Sequence, residues 1–265
     1  MGGKSLKACS LSSGSNGNSY FIGTRNTKIL IDAGLRGKDI DERLQNIGEN
    51  IREIEGIFIS HEHNDHALGA GVLARKYKIP IYATEGTWSN MKVGNIPEGC
   101  LNAIKQNSET LFGDLSVRSF PIPHDSKEPV AFTLEYKGKK IAIATDIGHM
   151  NSYTLNHISG SHLLYLESNH DTEMLMKGPY PWFLKKRVSG PVGHLSNIDA
   201  AETLVTMNRA KECIVSLSHL SETNNDPQMA IQTVLEVLKS KGILDIQIDV
   251  SLRRTIGKIY NLEIS

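Results

Sequence analysis

Residues 59–69 read "ISHEHNDHALG" and crowd three histidines, a glutamate and an aspartate into positions 61–66. They follow "GIFIS" (56–60), an apolar run of strand character. Solvation alone would favour Lys and Glu in such a loop. Imidazole nitrogens and carboxylate oxygens together are instead ligands for ions such as zinc, manganese or iron. Residues two apart on extended backbone face opposite ways. The loop must therefore turn to bring His61 and His63 to one ion, leaving Asp65 and His66 for a second. Six residues cannot fully ligate two metals, so further ligands must come from elsewhere in the chain. Candidates are His124 in "PIPHD" (121–125), Asp146 in "IATDIG" (143–148) and His219 in "VSLSHLS" (215–221). Each directly follows an apolar run, and that recurrence weighs more than any single histidine.

The rest of the chain bounds the reading. Its 265 residues fit one large α/β domain or two small ones. Lys and Arg (29) balance Asp and Glu (29), so any nucleic-acid surface must be a local patch. Three scattered cysteines, Cys9, Cys100 and Cys213, argue against a disulfide framework and for a reducing, cytoplasmic setting. No apolar run approaches the ~20 residues of a membrane span, and no signal-peptide core is expected at the N-terminus. The opening "MGGK" reads as a cloning remnant.

Strands are expected at 6–11, 19–24, 27–34, 54–60, 79–84, 114–122, 162–168 and 213–218, and near 245–250 and 257–264. A hairpin over 129–148 turns at Lys137-Gly138-Lys139. Helical spacing marks 39–48, 67–78, 197–210 and 227–240. No linker composition interrupts the chain, so residues 1–265 read as a single domain. Two mixed sheets face to face, with helices outside, form the economical arrangement.

"LIDAG" (30–34), "SHEHNDH" (60–66), "PHD" (123–125), "ATDIG" (144–148) and "LSHLS" (217–221) occur in the order of the metallo-β-lactamase superfamily, which the chain resembles. The resemblance implies a four-layer αββα sandwich in the α/β class, with two divalent metal ions at the edge between the sheets. On that match His61, His63 and His124 hold one ion, Asp65, His66 and His219 the other, and Asp146 bridges them. Asp32 would brace the histidine-rich loop from behind. Two ions ~3.5–4 Å apart clamp attacking and leaving oxygens, with Asp65 placed to orient the attacking water.

Lactam, thioester and phosphodiester hydrolysis all fit such a site, and the fold does not choose among them. Residues 190–221 narrow the choice, because they resemble the tract of tRNA 3′-processing nucleases in which a His-Ser element precedes the last metal histidine. His194 is then the candidate general acid. Glu167, in "LYLESN" (164–169), would hold it. Ser196 and Asn197 open a helix whose backbone N–H groups favour phosphate. "SSGSNGN" (12–18), with Ser15 and Asn16 at its tip, reads equally as a second anion cradle or an ordinary hairpin loop. His170 is either a supporting residue behind the ligands or a packing residue. His149, His157 and His162 lack the strand-end context. Only about 70 residues separate Asp146 from His219, too few for an inserted β-CASP domain. Neither the tRNA-gripping arm nor a class B1 metal-binding cysteine is evident.

Over most of the chain the resemblance is to a compact bacterial nuclease-like group encoded beside an essential cell-wall two-component system. It rests on "SLSSGSNGNSYFI" (10–22), "ESNHD" (167–171), "GPYPWFLKKRVSGPVGHLSN" (178–197) and "SLSHLSETNN" (216–225), together with the metal motifs. It implies a 5′→3′ exonuclease acting on single-stranded or duplex DNA ends and linked to mismatch repair. "PYPWFLKKRVSG" (179–190) sets Trp182 and Phe183 beside Lys185, Lys186 and Arg187. Stacking plus phosphate contact would serve single strands. An amphipathic helix with its aromatics in the core is the reading the pattern favours. A phosphodiesterase for a small cyclic phosphate and a regulatory binding protein with a vestigial site are the competing functions, and a lactamase is more distant. A homo-oligomer stays open, and no membrane partner is expected.

Overall fold

The protein is described by a computed structural model over residues 5–264; the "MGGK" opening lies outside the described residues. Strands β1 (Ser5–Ser12), β2 (Ser19–Gly23), β3 (Lys28–Ile31), β4 (Gly56–Phe58), β5 (Ile81–Thr84) and β6 (Leu101–Ile104) come first. They are followed by β7 (Glu109–Phe112), β8 (Leu115–Pro121), β9 (Val130–Tyr136), β10 (Lys139–Ala144), β11 (Leu163–Glu167), β12 (Ile214–Ser218) and β13 (Gln247–Val250). The final strand, β14 (Ile259–Glu263), returns to pair with β1. One seven-stranded sheet runs β14-β1-β2-β3-β4-β5-β6 and the other β13-β12-β11-β10-β9-β8-β7. Each is antiparallel on one side and parallel on the other.

Alternation along the strands builds the layers. In β3, Ile29 and Ile31 face the opposite sheet while Leu30 faces outward. In β11, Leu163 and Tyr165 face the opposite sheet while Leu164 and Leu166 face outward. The outward residues are covered by helices. Against the first sheet lie α1 (Gly37–Asn46), the short α2 (Asn64–Ala67), α3 (Ala70–Tyr77) and α4 (Glu85–Asn90). After β10 come α5 (Ser152–Ile158), α6 (Thr172–Lys177), α7 (Trp182–Val188), α8 (Asn197–Thr206) and α9 (Pro227–Ser240). Ile158, Ala200, Leu204, Ala230, Val234 and Leu238 cover the second sheet. The result is the αββα sandwich.

The strands point their C-terminal ends at one edge. Asp32 follows β3, His61 follows β4, His124 follows β8, Asp146 follows β10, Glu167 ends β11 and His219 follows β12. The expected helix over 67–78 is split: residues 64–67 form α2, inside the histidine motif, and α3 begins at Ala70. The core reading of the aromatics in α7 is corrected. Trp182 is 62% and Phe183 73% exposed, because this seven-residue helix buries Val188 alone, at its C-terminal end.

Candidate metal centre

The tight turn after β4 brings His61 Nε2 within 3.0 Å of His63 Nδ1. His124 Nε2, from the other sheet, lies 3.4 Å from the same atom. Neighbouring nitrogens around a tetrahedral zinc at 2.0–2.1 Å stand about 3.3 Å apart, so the three fit one ion. Partners on the far ring edges fix two of these imidazoles. His61 Nδ1 meets Ser60 Oγ at 3.0 Å, and His124 Nδ1–H donates to the Gly193 carbonyl at 3.3 Å. Burial, foremost, pushes the pKa of both His61 and His124 down. Neutral imidazole is the form a metal needs.

A second cluster gathers His66, His219 and Asp65, with both Nε2 atoms 3.6 Å from Asp65 Oδ2. Asp146 lies between the clusters. Its Oδ2 is 3.2 Å from His66 Nε2, and its Oδ1 is 3.9 Å from His124 Nε2. Asp146 Oδ2 and His219 Nε2 are buried without a hydrogen bond. Such orphaned atoms are costly unless a cation meets them, so the donor set fits a pair of metals. Asp32, Asp146 and His219 all have left-handed backbone, with φ of 60°, 61° and 56°. Such strain, of order 1–3 kcal/mol per residue, gathers at functional sites.

Asp32 backs the loop through three contacts. Its carboxylate accepts from Ser60 N (2.8 Å), Ser60 Oγ (2.9 Å) and His66 Nδ1 (2.8 Å). Gly34 follows two residues later, where a Cβ would fall 1.7 Å from the Asp65 carbonyl oxygen. Glu167 backs the other side. Its Oε1 accepts from His194 Nδ1 at 2.9 Å and from His219 Nδ1 at 2.8 Å. Its Oε2 accepts from the amides of Ile147 and Leu195. Burial opposes ionisation of Glu167, but His194 and His219 prevail and hold its pKa down to about 2. Burial likewise opposes protonation of His219, yet Asp146, Asp65 and Glu167 push its pKa up to about 10. His66 is raised well above the ordinary histidine value against the same opposition, by Asp146, Asp32 and Asp65. His194 Nε2, on the ring edge away from Glu167, has no hydrogen-bond partner among the described residues, and the side chain is partly exposed.

The expected phosphate cradle at Ser196 and Asn197 is corrected. Ser196 Oγ accepts from Asp199 N, and Ser196 N donates back to the Asp199 carboxylate, closing a capping box. Asn197 N donates to the His170 carbonyl, and the Asn197 side chain is buried against Ser168 and Asn225. These donors are spent on the fold. His170 is buried, and among the described residues its Nδ1 has no partner and its ring bonds no side chain of the two clusters. Ser15 and Asn16 stand exposed at the tip of the first loop, with Asn16 Nδ2 on Glu222. The inner residues of that loop, which the sequence reading passed over, reach the site instead. Ser13 Oγ accepts from the His219 amide at 2.8 Å, and the Asn18 amide nitrogen lies 3.0 Å from His66 Nε2. Asn169 Nδ2, beside the singled-out Glu167 and His170, holds the His219 carbonyl.

The family described as "Beta-lactamase superfamily domain" matches residues 27–219, from β3 to the last histidine of the second cluster, and the chain belongs to it. Within that superfamily it groups with bacterial exodeoxyribonucleases. It is 40% identical over 234 residues to exodeoxyribonuclease YycJ of Bacillus anthracis, covering 88% of this chain and 89% of the relative. It is 36% identical over 234 residues to exodeoxyribonuclease WalJ of Streptococcus pneumoniae serotype 2, covering 86% of each. The solved metallo-β-lactamase fold protein YhfI of Bacillus subtilis superposes with a TM-score of 0.72 over 97% of this chain and 99% of that one; at 13% identity this is a likeness of fold.

Proposed function

We propose that the protein is a cytoplasmic metal-dependent phosphodiesterase that degrades DNA from its 5′ end. One observation carries the reading: two clusters of potential ligands flank Asp146 where the two sheets meet at one edge of the sandwich, and His194 stands beside them on Glu167. The exodeoxyribonuclease relatives support DNA as the substrate. His61, His63 and His124 would hold one divalent ion, and Asp65, His66 and His219 the other, with Asp146 between. Zinc, manganese or iron there would activate water and offset phosphate charge. Asp65 orients the attacking water. Asp32 and Ser60 keep the His61 and His66 rings turned toward the centre. Glu167 holds the His194 Nδ1 proton, so Nε2 faces the departing oxygen and gives it a proton. Such an acid contributes typically 10²–10⁴-fold. The three free, buried cysteines support a reducing compartment. Removal of nucleotides from a 5′ end would suit the excision step of mismatch repair.

A formal net charge of zero favours one alternative, a small cyclic or nucleotide-like phosphodiester. The test is release of acid-soluble nucleotides from DNA with Mn²⁺ or Zn²⁺, beside hydrolysis of small cyclic diesters, at rising salt. DNA turnover that falls steeply with salt through counterion release is expected. Turnover confined to the small diesters and indifferent to salt would overturn the DNA reading.

A further inference from the structure

We propose that the exposed face of α7 is a stacking platform for unpaired bases of the strand entering the metal centre. The proposal rests on the nuclease reading and names how that site holds its substrate. Trp182 and Phe183 are adjacent aromatic side chains, each more than half exposed. Aromatic rings left in water at the first turn of a short helix contribute nothing to the core. Lys186 Nζ lies 5.3 Å over the Trp182 ring, which orients the ring and sets a cation beside it.

The platform is fixed to the catalytic edge. Phe183 and Arg187 share a helix face at i and i+4. Arg187 Nε donates to Asp125 Oδ2 at 2.5 Å, and Asp125 Oδ1 is 3.4 Å from His124 Nε2, a ligand atom of the first cluster. At the other end of the connection, His194 N donates to the Val188 carbonyl at 2.9 Å. The link is tight: a Cβ on Gly193 would fall 2.2 Å from the carbonyl oxygens of both Arg187 and Val188. The helix and the candidate acid therefore form one rigid piece. From Arg187 to Phe183 is one helical turn, about 6 Å. The rings therefore stand within a few nucleotides of the edge that carries the first cluster.

Charge selects the occupant. Residues 179–194 carry Lys185, Lys186 and Arg187 and no carboxylate; with Arg187 paired to Asp125, the two lysines supply the uncompensated positive charge. A second copy docking by the same face would bring like charges together, whereas a polyanion with flat, apolar bases meets both the charge and the rings. Stacking of this kind is tolerant of sequence, as removal of successive nucleotides from any DNA end requires.

The experiment compares wild type with W182A/F183A on single-stranded oligonucleotides, either fully based or abasic at single positions one to four nucleotides from the cut. Both side chains are exposed, so their truncation leaves the core intact. The expected result is a rise in KM of about 5- to 150-fold for each ring removed, the range of base–aromatic stacking, with kcat little changed. Wild type should lose comparable affinity when the base over the platform is absent, and the variant should be indifferent to that loss. Unchanged KM and an unchanged response to abasic positions in W182A/F183A overturn the platform while leaving the nuclease standing. So does loss of a wild-type dimer in the variant, read by light scattering, without any change in DNA affinity. A wild-type protein that cuts no DNA overturns the nuclease reading itself.

Discussion

A single carboxylate oxygen, Glu167 Oε1, accepts from both the candidate acid His194 and His219 of the second cluster. The acid is thereby held in register with the second cluster. Replacing His194 with alanine should lower kcat on DNA by 10²–10⁴-fold. It should leave hydrolysis of bis-p-nitrophenyl phosphate within a few-fold of wild type, because p-nitrophenolate departs without a proton. Equal losses on both substrates would remove the acid role. The raised pKa of His219 gives a second expectation. Without metal its imidazole is protonated at pH 8, and ligation requires the neutral form. Loading should release that proton, read by calorimetry in buffers of different ionisation enthalpy, and His66, raised in the same direction, adds to the release. In the metal-free protein the protonated His219 contributes stability that is complete below pH 6.5 and lost as pH rises toward about 10, so the melting temperature should fall across that window. His124, Asp146 and His219, which the fold gathers at the centre, were legible in the sequence because each follows an apolar run. Ser13 and Asn18 were not, because inward- and outward-facing polar residues of a glycine-rich loop look alike until the turn is known.

Elements whose two faces differ were equally legible. β3, β9, β10, β11 and α9 bury one or both faces and show it in their apolar spacing. β6 and β7 alternate only between exposed and half-buried positions, and α4, α6 and α7 each bury a single residue, so no strong period marks them. The start of α8 separates two readings that the sequence left together. As a capping residue, Ser196 replaced by alanine should cost about 1 kcal/mol, or a few degrees in melting temperature, with KM for DNA unchanged. A raised KM at unchanged stability would restore the phosphate cradle.

At the scale of the whole molecule, the site depends on both ends of the chain. β14 pairs with β1, and the segment before it straps the first loop. Ser13 N donates to the Leu252 carbonyl, Ser12 Oγ to the Arg253 carbonyl, and Arg253 itself donates to the Leu220 carbonyl beside His219. Leu252 and Arg253, to which the sequence reading gave no role, thus hold the loop that presents Ser13 to the His219 amide. The two sheets each contribute ligands, so neither half of the chain holds a complete centre. The most direct test of the whole account is digestion of 5′- and 3′-end-labelled DNA with Mn²⁺ or Zn²⁺, beside an Asp65→Ala control. Stepwise loss of label from the 5′ end, abolished in the variant, is the predicted result. Intact DNA with confirmed bound metal, or digestion that survives loss of the Asp65 carboxylate, would contradict it.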